Sequence, residues 1–245
     1  MQREAFETED EVAHRAAAIV VETVGETPDL VLCLPAGKTP IPIYRELVAL
    51  HRQGKVSFAH ARIFLVDEFV GIGTDEPGSF VRFLREHLLD HIDADPGLVH
   101  LPDGLAPDPD AEASRFDALI EAAGGIDLLL LGVGANGHVG FNEPGSLIDS
   151  RTRVVDLAPW TIEALQVSFA PERPVPARGI TIGLSTMFEA SAVLLVACGA
   201  SKAEPVRHLF AGGEIATWPV AALGSHPYLS VLIDRAATGE NFTIG

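Results

Sequence analysis

The sequence predicts an α/β fold: one doubly wound, mostly parallel sheet with helices on both faces. Three observations carry the prediction. Short β-rich apolar runs alternate with helix-like segments, the order that builds βαβ units. Several of those runs are apolar on consecutive residues, as strands buried on both faces are. At 245 residues, 47% hydrophobic and 21% charged, the chain has ample core material and a length suited to one α/β domain.

The elements follow in order. The N-terminal MQREAFETEDEVAHR is polar and acidic and has neither signal-peptide nor transit-peptide character. A helix is expected over Thr8–Val24 and a strand over Asp29–Leu34, around the apolar run LVLCL. Thr39-Pro40 reads as an N-cap followed by Pro in the first turn, opening a helix over Ile41–Gln53. A strand is expected over Arg62–Val66 and a helix over Gly78–Ile92. Pro102–Pro109 (PDGLAPDP) is a loop, not a domain boundary, and a helix over Asp110–Ala123 follows it. The strongly apolar IDLLLL marks a strand over Ile126–Gly132. Further strands are expected over Thr152–Leu157, Gly179–Ile182, Ala192–Cys198 and Leu229–Asp234, with a helix over Ser201–Ala211 that Ser201 caps. No internal repeat or low-complexity linker divides the chain, so residues 1–245 read as one domain.

Charge and composition exclude several classes. Net charge is −17, from 34 acidic and 17 basic residues, which disfavours nucleic acid and anionic membranes as partners. An anionic ligand must then be held by local cations or backbone amides. Cys33 and Cys198 both lie in apolar runs and read as small core residues, not as a disulfide framework or metal site. No His, Cys or acidic cluster has metal spacing, no serine sits in a GxSxG elbow, and no apolar run reaches membrane-span length. These features point to the cytoplasm.

In open α/β sheets, ligands bind beyond the carboxyl ends of the strands. The loops to search therefore follow Leu34, Val66, Gly132 and Cys198. After Leu34, Pro35-Ala36-Gly37-Lys38-Thr39-Pro40 leads into a helix; glycine allows close backbone approach, and helix N-terminal amides favour an anion. This is not a P-loop, since GxxxxGK[ST] is absent; a plain strand-to-helix turn reads equally well. After Val66 come adjacent carboxylates, Asp67 and Glu68. Burial can raise one of them toward a working base, and an acidic loop or helix cap is the competing reading. After Cys198, Lys202 sits in a first helical turn, where a cation opposes the macrodipole unless an anion binds there.

The loop Gly132–Pro144 (GVGANGHVGFNEP) is the most informative. Its four glycines place backbone close to a ligand, and a carboxylate at Glu143 can fix the tautomer of His138 and raise its basicity. Gly132, Gly134 and Gly137 also satisfy GxGxxG, with Asp156 further on. Dinucleotide binding is rejected because Gly140, Pro144 and Gly145 break the helix that this fingerprint requires.

Taken together, LCLPAGKTPIPIYREL, VDEFVGI, GVGANGHVGFNEPG, SRTRVV, ITIGLSTMFEA, GASKAEPVRHL and SHPYLSVLID closely resemble glucosamine-6-phosphate deaminases. Their superfamily also holds 6-phosphogluconolactonases and ribose-5-phosphate isomerases. The likeness covers nearly the whole chain, and its FNEP continuation, with Glu143, favours the deaminase branch. The resemblance implies a Rossmann-like fold of the deaminase and ribose-phosphate-isomerase type. It implies a hydrolase and isomerase of amino-sugar catabolism that turns glucosamine 6-phosphate and water into fructose 6-phosphate and ammonia, with no metal or redox cofactor. Asp67 would move the C2 proton to C1. His138, oriented by Glu143 and with Asn136 beside it, would assist ring opening. Ala36, Gly37, Lys38, Thr39, Gly134, Gly137 and Lys202 would bind the substrate and its phosphate.

The chain departs from the family pattern at three points. Asn136 stands where some members have Asp, GKTP replaces GGTP or GSTP, and Val167 aligns with the arginine that usually completes the phosphate site. Lys38 is then the candidate replacement charge. The alternatives are a lactonase or an isomerase of another sugar on the same scaffold, and a sugar-phosphate-binding regulator without turnover. Val155 is apolar and the chain ends soon after Asp234, so no activation by an acetylated amino-sugar phosphate is expected. The chain reads as a monomer or homo-oligomer.

Overall fold

In the computed structural model, which describes residues 2–169 and 174–239, seven strands form a wholly parallel sheet. Its strands are β1 (Gln2–Phe6), β2 (Val31–Leu34), β3 (Arg62–Leu65), β5 (Val99–His100), β6 (Leu128–Gly132), β9 (Ala192–Ala197) and β10 (Leu229–Asp234). Their spatial order is β1-β10-β9-β6-β2-β3-β5. A separate antiparallel sheet, in the order β4-β8-β7, is made by β4 (Asp67–Phe69), β7 (Arg153–Asp156) and β8 (Arg178–Thr181). The helices are α1 (Glu9–Glu26), α2 (Pro40–Arg52), α3 (Phe80–His87), α4 (Pro109–Ala122), α5 (Pro159–Leu165), α6 (Leu184–Phe188) and α7 (Ala203–Ala211). Among the described residues, no helix is long and apolar enough to cross a membrane.

Unbroken apolar strands have a physical reason here. Successive side chains point to opposite faces, and helices cover both. Leu32, Leu34, Ile63 and Leu130 pack with Val20 of α1 and Leu47 of α2. Val31, Cys33, Phe64 and Leu131 pack on the other face with Phe116 of α4, Met187 of α6 and Leu209 of α7. Cys33 is buried within this core and forms no disulfide. Each fully buried Leu or Ile side chain contributes about 1.5–3 kcal/mol.

Local chemistry sets the helix ends. At α1, Thr8 Oγ1 accepts from Glu11 N (3.3 Å) and Glu11 Oε2 accepts from Thr8 N (3.1 Å), a reciprocal capping box. α2 starts at Pro40, but Thr39 does not cap it: its backbone is already helical and its hydroxyl makes no cap hydrogen bond. Ser201 makes no cap either; it lies within a 3-10 turn over Ala200–Lys202 before α7.

The structure corrects the expected sheet in three ways. The expected strands at Thr152–Leu157 and Gly179–Ile182 do not join the parallel sheet; they pair antiparallel as β7 and β8. The segment after Val66, searched as a loop, is a strand, β4, which pairs with β8. The polar N-terminus supplies edge strand β1, parallel to β10, where polar residues suit an exposed edge. The antiparallel sheet has its own apolar support, formed by Phe69, Ile72, Phe141, Leu157, Phe169 and Val175.

Glu68 fixes the junction between the two sheets and α3. It is 1% exposed. Its carboxylate accepts from Ser79 Oγ (2.6 Å), Val81 N (2.8 Å), Phe80 N (3.1 Å) and Phe69 N (2.7 Å). It therefore satisfies the free amides that open α3, where negative charge also complements the helix dipole. Glu68→Ala leaves those buried donors unpaired and is expected to cost about 3 kcal/mol of stability. The check is the denaturant midpoint; an unchanged midpoint would show that the anchoring of α3 does not depend on this carboxylate.

Candidate functional site

The chain leaves β2 and β6, which are neighbours, in opposite directions. From β2 it proceeds through α2 to β3 and then β5; from β6 it proceeds toward β9 and β10. Such a divergence opens a crevice beyond the strands' carboxyl ends. The two diverging loops touch there: a Cβ on Gly132 would lie 3.6 Å from Thr39 Oγ1. A cavity of about 800 Å³ occupies this crevice, a size that suits a small molecule.

The structure brings most of the sequence-derived residues to one place. Ala36, Gly37, Lys38, Thr39, Asp67, Gly134, His138 and Lys202 all line the cavity. Asn136, Gly137 and Glu143 do not; they lie in the loop that carries His138. Lys38 is exposed at the cavity wall. Gly37 has φ +111°, a conformation in which a side chain is strained. The loop presents backbone, and α2 begins there with neither an acidic residue in its first turn nor a side-chain cap. Its free amides suit an anion.

Asp67 is the first residue of β4, and strand alternation sends it away from Glu68. It is 5% exposed and its carboxylate has no hydrogen-bond partner among the described residues. Burial, and then the neighbouring Glu68 charge, push its carboxyl well above the ordinary carboxylate range. Burial also raises Glu68, but its hydrogen bonds oppose the shift. The pair is therefore divided: one carboxyl is consumed by a helix terminus and the other faces the cavity with raised basicity.

His138 is held by its own loop. Its backbone N–H donates to Asn136 Oδ1 (3.2 Å) and its carbonyl accepts from Gly134 N (2.8 Å). The imidazole covers Gly134 so closely that a Cβ there would sit 2.3 Å from the ring, so any larger residue would have to displace it. Nδ1 lies 3.6 Å from Glu143 Oε2, an ion-pair distance too long for a hydrogen bond. Nδ1 is buried without a hydrogen-bond partner, which leaves Glu143 as the nearby group that can orient the ring.

Glu143 is itself oriented twice. Asn136 Nδ2 donates to Oε2 (2.8 Å), and Thr161 Oγ1 donates to Oε1 in a short hydrogen bond. Burial raises the Glu143 carboxyl, but His138, Thr161 and Asn136 outweigh burial and hold it below the ordinary range. It is an ionised partner for the imidazole. Asn142, fully buried, pins the loop: its Nδ2 donates to Val139 O (3.0 Å) and Ile182 O (2.9 Å), and its Oδ1 accepts from Arg153 Nη1 (2.9 Å).

Lys202 is half-buried, and burial pulls its ammonium below the ordinary lysine range. No carboxylate pairs with it among the described residues. A cation kept in this position without a partner suits an anionic ligand.

Sequence reasoning missed three contributors. Thr161, 3% exposed, belongs to α5, a short helix with no motif. Trp160, beside it, packs edge-on to the His138 ring with centroids 5.8 Å apart. Arg82 lines the cavity from α3. Only the cavity-facing spacing of α3 offered a signal, and it appears only once the helix is placed. Val167 also lines the cavity and is exposed.

The unpartnered, raised carboxyl of Asp67 has a consequence for stability. Its folded-state pKa lies above the unfolded value of 3.8. Protonation therefore favours the fold below that value, and the contribution is lost as pH rises through the folded pKa. Ionising this buried carboxyl therefore costs stability. Asp67→Asn is expected to stabilise the protein by about 1 kcal/mol at pH 7, with the gain vanishing near pH 3.8. Thermal denaturation against pH tests this; a gain independent of pH would refute it.

The family model described as glucosamine-6-phosphate isomerases/6-phosphogluconolactonase matches residues 3–231. A glucosamine-6-phosphate deaminase of Bacillus velezensis is 41% identical over 230 residues, covering 94% of this chain and 95% of that protein. Another, from Bacillus subtilis, is 39% identical, covering 94% of this chain and 96% of its own length. Among solved structures, a monomeric glucosamine-6-phosphate deaminase superposes with a TM-score of 0.93 at 38% identity, covering 97% of this chain and 99% of its own. A 6-phosphogluconolactonase from Trypanosoma brucei shares the fold, with a TM-score of 0.73 at 22% identity over 97% of each chain.

Proposed function

Because the chain belongs to the family of glucosamine-6-phosphate isomerases and 6-phosphogluconolactonases, we propose that it is an amino-sugar-phosphate deaminase converting glucosamine 6-phosphate and water to fructose 6-phosphate and ammonia. The whole chain acts as one catalytic domain, in the cytoplasm, on a small-molecule substrate. The observation that carries the reading is the pairing of a bare, buried Asp67 with an oriented His138–Glu143 couple around one cavity.

The reaction follows from these groups. His138, with Glu143 behind it, moves a proton between the sugar's anomeric hydroxyl and its ring oxygen, opening the ring to the aldehyde. The C1 carbonyl acidifies the C2 proton. Asp67 takes that proton, a C1–C2 double bond forms, and the C1 oxygen is protonated to a hydroxyl. Asp67 returns the proton to C1, leaving an iminium at C2. Water adds there and ammonia leaves, giving the ketose. A carboxylate whose pKa is raised by burial is a better base for a weak carbon acid than an ordinary one. The Gly37–Thr39 loop, the amides of α2 and Lys202 hold the phosphate, with Lys38 at the edge. Thr161 and Asn136 keep the Glu143 carboxylate fixed behind the imidazole.

The test is ammonia release from glucosamine 6-phosphate, run beside galactosamine 6-phosphate and 6-phosphogluconolactone. Ammonia from neither amino sugar overturns the reading, and lactone hydrolysis alone would establish the alternative. Asp67→Asn is expected to lower kcat by about 10²–10⁴-fold. In the wild type, kcat/KM should rise with pH along an acid limb lying above 3.8, because Asp67 must be ionised to act. An acid limb unchanged in Asp67→Asn would refute its role as the base. Kinetics are expected to be hyperbolic and unaffected by an acetylated amino-sugar phosphate; clear activation would refute this.

A further inference from the structure

We propose that Arg82 on α3 is a specificity-determining residue of this site, its guanidinium binding the substrate's anionic group together with Lys202. The inference rests on the sugar-phosphate reading and adds to it a residue that neither motif nor family description assigns.

α3 turns one stripe to the cavity: Ser79, Phe80, Arg82, Phe83 and Glu86 line it, the spacing of one helix face. A second, smaller cavity of about 350 Å³ continues between α2 and α3, and Ile41 and Glu86 line both. Glu86 therefore faces the first turn of α2, directly after the Gly37–Thr39 loop. Arg82 lies one turn before Glu86, is hydrogen-bonded to it, and lines the same cavity as the loop.

The guanidinium is held along part of its fork. Nε donates to Glu86 Oε1 (2.6 Å) and Nη1 to the Asp75 carbonyl (3.2 Å). Nη2 has no partner among the described residues, and the side chain is 39% exposed. Arg82 is the only arginine among the described lining residues. The α5 side contributes Trp160, Ala164, Leu165 and Val167, none of them charged. Lys202 and Lys38 are point charges, whereas a guanidinium offers planar donors matched to phosphate oxygens. In a chain of net charge −17, a pre-oriented guanidinium in the cavity that the amide-bearing loop also lines gives a phosphorylated substrate local attraction that its unphosphorylated counterpart lacks.

The experiment measures calorimetric binding of glucitol 6-phosphate and of glucitol, neither of which can turn over, to wild type, Arg82→Gln and Arg82→Lys. Arg82→Gln is expected to weaken glucitol 6-phosphate binding about 10- to 100-fold and leave glucitol unaffected. Arg82→Lys should recover part of the loss, which also shows that the loss is not misfolding. In turnover, Arg82→Gln should raise KM for the amino-sugar phosphate with kcat changed far less. Equal binding of glucitol 6-phosphate by wild type and Arg82→Gln overturns the proposal. So does an equal loss of glucitol binding, or no binding by the wild type. If the wild type releases no ammonia but its binding still depends on Arg82, the deaminase reading falls and the anion contact stands.

Discussion

Two adjacent carboxylates in one buried strand must point to opposite faces, and the site depends on that constraint. Glu68 turns toward α3 and is satisfied by four hydrogen bonds. Asp67 turns toward the cavity and is satisfied by none among the described residues. Glu68 thereby does two things. It fixes the helix that carries Arg82 and Glu86 along the cavity, and its charge adds to the burial that raises the Asp67 carboxyl. A single structural carboxylate thus sets both the electrostatics of the proposed base and the position of a cavity wall.

The two sheets divide the remaining work. The parallel sheet supplies diverging loops at the boundary between β2 and β6, where a crevice is unavoidable. The antiparallel sheet closes onto that crevice. β4 delivers Asp67 directly after β3, with Val66 tied to both sheets through Leu34 O and Ile182 N. β8 and the residue after it receive the loop that carries His138: Thr181 Oγ1 accepts from Phe141 N (3.2 Å), and Asn142 donates to Ile182 O. Arg153 of β7, half-buried and without a carboxylate partner among the described residues, donates to Asn142 and to Ser146 Oγ. Its guanidinium is thus committed to holding the loop. The loop's polar groups are satisfied within the loop and by the β8 region, which leaves the Glu143 carboxylate beside the His138 imidazole.

Much of this was legible in the sequence because it depends on local pattern. The apolar runs around Cys33, Leu129 and Leu195 state two-sided burial wherever they sit, and the glycines of Gly132–Pro144 state close backbone approach. Other features had no local signature. Asp67–Phe69 is three residues long and becomes a strand only because β8 pairs with it. Thr39 looks like a cap, yet its side chain lies against Gly132, a contact set by the neighbouring strand's loop. Thr161 sits in a segment without motif, and its role exists only because α5 brings its hydroxyl to Glu143.

By itself, then, the sequence determined the α/β class, the four loops beyond the strand ends and the chemical types of the groups in them. Periodicity and glycine placement act over a few residues and need no partner to be read. The tertiary structure alone decided which carboxylate of the Asp67–Glu68 pair is bare, what orients Glu143, and that the guanidinium at the cavity comes from α3. Each of those is a contact between elements far apart in the chain. Burial and hydrogen-bond satisfaction, which set charge and basicity, are properties of such contacts and not of any residue taken alone.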